Sequence, residues 1–308
     1  MSRVVVVGSL NLDLITEVER LPSPGETVLG CAFRQVSGGK GGNQAHAAVG
    51  VARSRAEQAG EVAVAMIGRV GEDDAASRLC GDLAAAGVDV SAVGRARDAA
   101  TGIALITVAA DGANTIVVAP GANHDWPADA MAEVSFEPDD VVVTQLEVPL
   151  DVVHAVAGAA RAVGARFVLN AAPADRRVME VLSRADVVVL NEIEAEQLLE
   201  VRTAELDEIG AARARLDGDL VVTLGADGVV VASRDGRTVH VPGLAVDVID
   251  TVGAGDAFVG ALAASLATGA DVVEAAITAN TVGALTATVR GARHPRLADA
   301  LGAVQEVA

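Results

Sequence analysis

Aromatic residues are nearly absent from the sequence: 2% of 308 residues, with no tyrosine, so rings to stack on nucleic-acid bases are scarce. Cationic residues are scarce too, with Lys+Arg 23 against Asp+Glu 42 for a net charge of −19. A polyanion of this kind lacks the electrostatic footprint that a phosphate backbone requires, which excludes nucleic acid as the expected partner. Long apolar runs are also missing. The uncharged stretches 257–270 and 275–289 are interrupted by Thr, Asn and Gly, and both fall short of the roughly 18 to 20 apolar residues of a membrane helix. The two cysteines, Cys31 and Cys80, have no metal-ligand spacing. With no charged segment followed by an apolar one at the start, they point to a reduced, cytoplasmic location. What the chain does have is 51% hydrophobic residues at only 21% charged, enough apolar content to drive folding.

Branched-aliphatic runs recur at residues 4–7, 62–67, 141–144, 167–169, 187–190 and 220–224. Such runs are the pattern of strands buried on both faces, as parallel strands are. Between them lie Ala-rich segments of helical length at 75–86, 150–163, 192–200 and 204–216. Alternating strand and helix predicts an α/β fold, a mostly parallel sheet with helices on both faces. Two regions break the rhythm: residues 12–36, and residues 101–118 with a turn at Asp111-Gly112. Both are expected to form antiparallel strands outside the main sheet. A further hairpin, 229–232 with 238–241, is expected at the periphery, and residues 253–289 read as helical with a break at 269–271. No repeat or linker divides the chain, so one domain is expected over 1–308.

Asp250-Thr251-Val252-Gly253-Ala254-Gly255-Asp256 carries the strongest chemical signal. It follows a strand-like stretch, 245–249, and precedes an apolar helix, so small residues gather backbone N–H groups at a helix N-terminus, an arrangement that binds anions. Asp256 there either caps the helix or takes a proton from a hydroxyl attacking phosphorus. Gly38-Gly39-Lys40-Gly41-Gly42-Asn43-Gln44 matches neither the phosphate-loop nor the dinucleotide pattern. It is either a turn before a helix or backbone brought close to a polyhydroxy ligand, with Asn43 offering donor and acceptor. Asn11 and Asp13 follow the run 4–7, Glu147 follows 141–144, and Asn191 and Glu194 follow 187–190. Polar residues at strand C-termini lie where α/β sheets bind ligands, although Asx residues also form turns and Glu194 also suits a helix dipole. Thr223, Gly225 and Gly228 end another run in a turn that suits nucleotide phosphates or merely the hairpin after it. The five histidines have no ligand spacing and no Gly-x-Ser-x-Gly elbow is present, against metal and serine hydrolases.

Taken together and in order, Gly8 to Asp13, Pro24-Gly25-Glu26-Thr27, Gly38 to Gln44, Asn191-x-x-Glu194, Thr223-Leu224-Gly225 and Asp250 to Gly260 resemble the ribokinase family of sugar and nucleoside kinases over nearly the whole chain. The resemblance implies a three-layer α/β/α core with a small β-sheet lid from about 12–36 and 101–118, and a homodimer clasped through that lid. It implies ATP-dependent phosphorylation of a free sugar, D-ribose at its 5-hydroxyl first. Another pentose, fructose, 2-keto-3-deoxygluconate or a nucleoside is the alternative acceptor, and an inactive sugar-binding regulator is the alternative from outside catalysis. By motif position, Asn11, Asp13, Gly39, Lys40, Gly41, Asn43 and Glu147 hold the sugar and Asp256 is the base. The backbone of Val252, Gly253, Ala254 and Gly255 forms the anion hole. Thr223, Gly225, Gly228, Gly255 and Asn280 line the ATP site, and Asn191 with Glu194 serves Mg²⁺, Glu194 through water. An activating K⁺ would rest on Asp250, Val252 and Gly291. The chain departs from the family pattern at Ala171, where proline is common, in extra residues near 53–60, and at Gly291-Ala292-Arg293-His294-Pro295-Arg296, which lacks the serine that helps bind K⁺.

Overall fold

In the computed structural model, which describes residues 2–130, 134–202 and 205–305, the chain opens with β1 (Arg3–Val7), β2 (Asn11–Val18), β3 (Ala32–Gly38) and α1 (Lys40–Ala59). Next come β4 (Ala63–Gly71), α2 (Asp74–Ala86), β5 (Val93–Ala96), β6 (Gly102–Ala109) and β7 (Asn114–Ala119). They are followed by β8 (Val141–Gln145), α3 (Leu150–Val163), β9 (Arg166–Asn170), α4 (Met179–Arg184), β10 (Val187–Asn191), α5 (Glu192–Leu199), α6 (Leu206–Arg213) and β11 (Asp219–Thr223). The chain closes with β12 (Val229–Ala232), β13 (Thr238–Val241), α7 (Ala254–Ala267), α8 (Val272–Ala287) and α9 (Leu297–Gln305).

Nine strands form the main sheet in the order β13-β12-β11-β10-β9-β8-β1-β4-β5. All pairs from β11 to β5 are parallel, and β12 and β13 form the expected antiparallel hairpin at one edge. Alternation along β1 divides the core: Val4 and Val6 pack into one cluster with α1, α2, α7, α8 and α9, while Val5 and Val7 pack into another with α3 to α6. Burial on both faces is why the strands read as continuous branched runs. Helix α7 is apolar all round because it lies between α1 and α8. From β1 the strand order proceeds outward in both directions, so β1 and β8 flank a topological switch point, and the crevice beyond their C-termini is where such sheets bind ligands.

A second sheet, β3-β2-β6-β7, stands apart from the first. Its outer pairs are antiparallel, but β2 and β6 are parallel, which corrects the all-antiparallel expectation. The two hairpin-like units come from distant parts of the chain, and alternation of side chains does not encode strand direction. The stretch 245–249 is not a strand: it finds no strand to pair with, and Val248 and Ile249 are exposed. The extra residues near 53–60 continue α1 to Ala59 rather than forming a loop. Residue 204, expected to begin a helix, lies outside the described residues, and α6 runs from Leu206. Among the described residues no helix is long and apolar enough to cross a membrane.

Helices α1 and α7 are held in close contact at Gly260, where a Cβ would fall 2.1 Å from the carbonyl oxygen of Gln44. Helix propensity alone favours alanine over glycine by about 1 kcal/mol. The clash with backbone reverses that preference, so Gly260→Ala is expected to destabilise by roughly 1–3 kcal/mol, as overpacking does. Urea unfolding checks this, and an unchanged or raised midpoint would refute it.

Candidate active site

The N-termini of α1 and α7 meet at the switch-point crevice, and Asp256 in the first turn of α7 points across to α1. Its Oδ2 accepts from Asn43 Nδ2 at 3.0 Å and its Oδ1 from Gln44 Nε2 at 3.2 Å. The carboxylate therefore does not cap its own helix; the cap position is Gly253, with φ 77. Gln44 is oriented in turn. Its Nε2 donates to Asn170 Oδ1 at 3.0 Å and its Oε1 accepts from Gln145 Nε2 at 2.7 Å. This buried amide chain fixes which way the Gln44 side chain faces.

Asn11, Asp13, Gly39, Lys40, Gly41, Asn43 and Glu147 gather near Asp256, and Lys40, expected with the sugar-holding residues, also lines the small cavity shared with Glu194. Gly39, with φ 83, caps α1 without a side chain, and a Cβ there would lie 2.6 Å from the Asn11 nitrogen, so the loop can pass only as glycine. Gly41 donates its N–H to Ser9 Oγ at 3.4 Å. Ser9 donates to Glu147, whose Oε2 also accepts the Lys40 backbone N–H at 3.1 Å, tying the β1 and β8 ends together. Asn11 Oδ1 accepts from Asn123 Nδ2 at 2.7 Å. Asp13 lies over Gly38, where a Cβ would stand 2.3 Å from Oδ2.

Beyond Asp256 a small cavity of about 140 Å³ is lined by Lys40, Asn191, Glu194, Gly253 and Gly255. Asn191 and Glu194 form a capping box on α5, with Glu194 N to Asn191 Oδ1 at 2.8 Å and Asn191 N to Glu194 Oε2 at 2.9 Å. The capping role is thus realised, and the same two residues face the cavity. A larger, mostly apolar cavity of about 530 Å³ adjoins it through Thr223 and Gly255, and Gly225, Gly228 and Asn280 also line it. That size suits a nucleoside. The Asn280 amide is engaged, donating to Pro242 O at 2.8 Å. Asp250, Val252 and Gly291 cluster to one side: the Asp250 carboxylate accepts from Val252 N at 3.0 Å and Gly291 N at 2.9 Å.

Charge is dense here. Burial pushes the Asp13 carboxyl up to about 7, with Glu147 and Asp256 adding to the shift and Arg293 opposing it. Asp256 and Glu194 are also raised by burial, with Lys40 among the groups that oppose it. Burial lowers Lys40, but Asp256, Glu147 and Glu194 outweigh it and hold the ammonium above its ordinary value.

Gln145, Asn170, Asn123 and Arg293 are functional neighbours that the sequence did not single out for a role. Gln145 and Asn170 directly follow the runs 141–144 and 167–169, and the structure makes each the last residue of its strand. Arg293 was visible only as a departure from a pattern. A further cavity of about 840 Å³, which includes His154, Arg161 and Arg184, sits at the opposite, N-terminal ends of β9 and β10 and contains none of the expected residues.

The model of the pfkB family of carbohydrate kinases matches residues 1–299. The chain belongs to that family. It is 37% identical to a ribokinase of Staphylococcus aureus over 272 residues, 86% of each chain. It is 34% identical to a deoxyribokinase of Salmonella typhimurium over 267 residues, 84% of each. A solved structure of Arabidopsis thaliana ribokinase complexed with ribose and ATP superposes with a TM-score of 0.82 at 28% identity, covering 97% of this chain and 98% of that one. For a pfkB kinase, a crevice divided by one carboxylate into a polar side and an apolar, nucleoside-sized side is the geometry that phosphoryl transfer needs.

A raised carboxyl binds its proton in the folded state where the unfolded chain has lost it, so Asp13 makes stability fall as pH rises from the unfolded value of 3.8 through about 7. Asp13→Asn is therefore expected to raise the denaturation midpoint at pH 8 more than at pH 4. Equal effects at both would refute the shift. Carboxyl NMR on Glu147→Gln should show Asp13 titrating lower than in the parent.

Proposed function

We propose that this protein is an ATP-dependent sugar kinase that transfers the γ-phosphoryl group to the 5-hydroxyl of D-ribose, the whole chain acting as one kinase domain with residues 12–36 and 101–118 as its lid. The observation that carries this reading is the Asp256 carboxylate, held by Asn43 and Gln44 between the polar crevice and the two cavities. The ribokinase relative and the ribose and ATP in the Arabidopsis ribokinase structure support the choice of acceptor and donor. Deoxyribose is the second reading, favoured by the similarity to a deoxyribokinase.

In this reading Asn11, Asp13, Gly39, Gly41, Asn43 and Glu147 hold sugar hydroxyls, and the lid covers them. Asp256 takes the proton from the attacking hydroxyl as it meets the γ-phosphorus. The backbone N–H groups of Gly253 and Gly255 face the developing charge at the N-terminus of α7, where the dipole adds to them, while those of Val252 and Ala254, expected beside them, are taken by the Asp250 carboxylate and the Thr251 carbonyl. Lys40 lines the phosphate side and balances charge there. Thr223, Gly225, Gly228, Gly255 and Asn280 bound the nucleotide.

Among the described residues no group of three or more His, Cys, Asp or Glu side chains can hold a bare metal ion. The residues fit instead a Mg²⁺ carried by the phosphates and water, with Glu194 and Asn191 beside it. When bound it neutralises phosphate charge. Asp250 draws the 250–252 turn against Gly291, and in this reading these residues would hold K⁺, with the segment 291–296 lacking the serine that would help bind it. The exposed Phe33, Leu105, Ile116, Val117 and Val118 of the lid sheet fit a second copy of the chain, giving a homodimer. A cytoplasmic location suits both free ATP and reduced Cys31 and Cys80.

ADP release should be seen with ribose above deoxyribose, fructose, 2-keto-3-deoxygluconate and adenosine, and a panel with no turnover would sink the kinase reading. Asp256→Asn is expected to lower kcat by about 10²–10⁴-fold with sugar binding retained; unchanged turnover would remove Asp256 from its role. Light scattering at micromolar concentration should give a dimer, and a monomer would refute the lid clasp.

A further inference from the structure

Asn43 stands between two charges. Its Nδ2 donates to Asp256 Oδ2 at 3.0 Å, while its Oδ1 accepts from Arg293 Nε at 3.0 Å. A side-chain amide has no intrinsic preference between its two flipped orientations, so its neighbours must choose. A guanidinium can only donate, hence Oδ1 faces Arg293 and the N–H groups face the carboxylate. The Asp256 carboxylate, which when ionised only accepts, demands the same orientation, so Arg293 and Asp256 hold the amide from its two ends. The same guanidinium reaches into the lid: Nη2 lies 3.5 Å from the carbonyl oxygen of Gly38, the last residue of β3. That contact is long and weak on its own. It nevertheless places one rigid fork against the lid sheet and the partner of Asp256 at once. The space is shaped for it, since a Cβ on Gly42 would come within 2.7 Å of Nη2. Asp13 and Asp82 face the guanidinium and offset its burial.

We propose that Arg293 is a positioning residue for phosphoryl transfer. It fixes the Asn43 amide, and through it Asp256, and it ties that orientation to the lid strand at Gly38. The proposal rests on the reading of Asp256 as the base. Arg293 lies in the segment 291–296, where the sequence departs from the family pattern described above.

Steady-state kinetics with ribose and MgATP on Arg293→Gln, Gly42→Ala, Asn43→Ala and the Asn43→Ala/Arg293→Gln double variant test it, with Asp256→Asn as reference and thermal melting as a check on folding. Arg293→Gln should lower kcat about 10-fold or more, since small misplacements of a reacting group are costly, while KM for ATP stays within about 2-fold. Gly42→Ala should lower kcat in the same sense by displacing a guanidinium that is still present. In the Asn43→Ala background, Arg293→Gln should cost nothing further, because the intermediary is gone. Wild-type kcat in Arg293→Gln, or losses that multiply in the double variant, would overturn the proposal while leaving the base reading intact. An active Asp256→Asn would overturn the base reading, and this proposal with it.

Discussion

Four carboxylates converge on the crevice at the C-terminal ends of β1, β8 and β10, and the surrounding structure is arranged around the cost of keeping them there. Asp13, Glu147, Glu194 and Asp256 act on one another or on Lys40, and Lys40 and Arg293 are the cations that answer them. Burying like charges together is unfavourable unless each carboxylate finds donors. The donors come from the fold itself: the N-termini of α1, α5 and α7 point at the site, Asn43 and Gln44 serve Asp256, and Ser9 and the Lys40 backbone serve Glu147.

That convergence depends on two packing decisions made far from the chemistry. Gly260 lets α7 press on α1 at the Gln44 carbonyl, which sets the distance between Asp256 and its two amide partners. Gly39 lets the loop entering α1 pass over the Asn11 backbone, which brings Lys40 and Asn43 to the crevice rather than past it. Both are positions where a side chain has no room, so the geometry of the crevice is specified by the absence of atoms as much as by the polar groups that line it.

The parallel core was legible because strands buried on both faces have no choice but to be runs of Val and Leu, as residues 4–7, 141–144 and 187–190 are. The parallel pairing of β2 with β6 was not, because a half-exposed strand alternates in the same way whichever direction its neighbour runs. The stretch 245–249 misled for a related reason: its branched residues belong to the wall of the apolar cavity, and a cavity wall and a strand call for the same composition. In the site, Asp256, Lys40 and Asn43 were visible because small residues cluster around them. Gln145 and Asn170 were hidden because each is the last residue of a buried strand, where sequence shows a polar residue but not the partner that satisfies it.

The placement of the lid follows from the reaction the site is read to perform. A hydroxyl and water are equally able to attack a phosphorus once a carboxylate is ready to accept the proton, so selectivity has to come from excluding water rather than from the base. The lid strands β2 and β3 carry Asn11, Asp13 and Gly38, so the surface that covers the acceptor also supplies part of the polar crevice. The apolar cavity is walled by the 225–228 turn, the 243–251 loop and helices α7 and α8, and it shares Gly255 and Thr223 with the small cavity beside Asp256. Asp256 sits at that junction, one residue from Gly255, which in the proposed reading puts the base between the acceptor hydroxyl and the nucleotide.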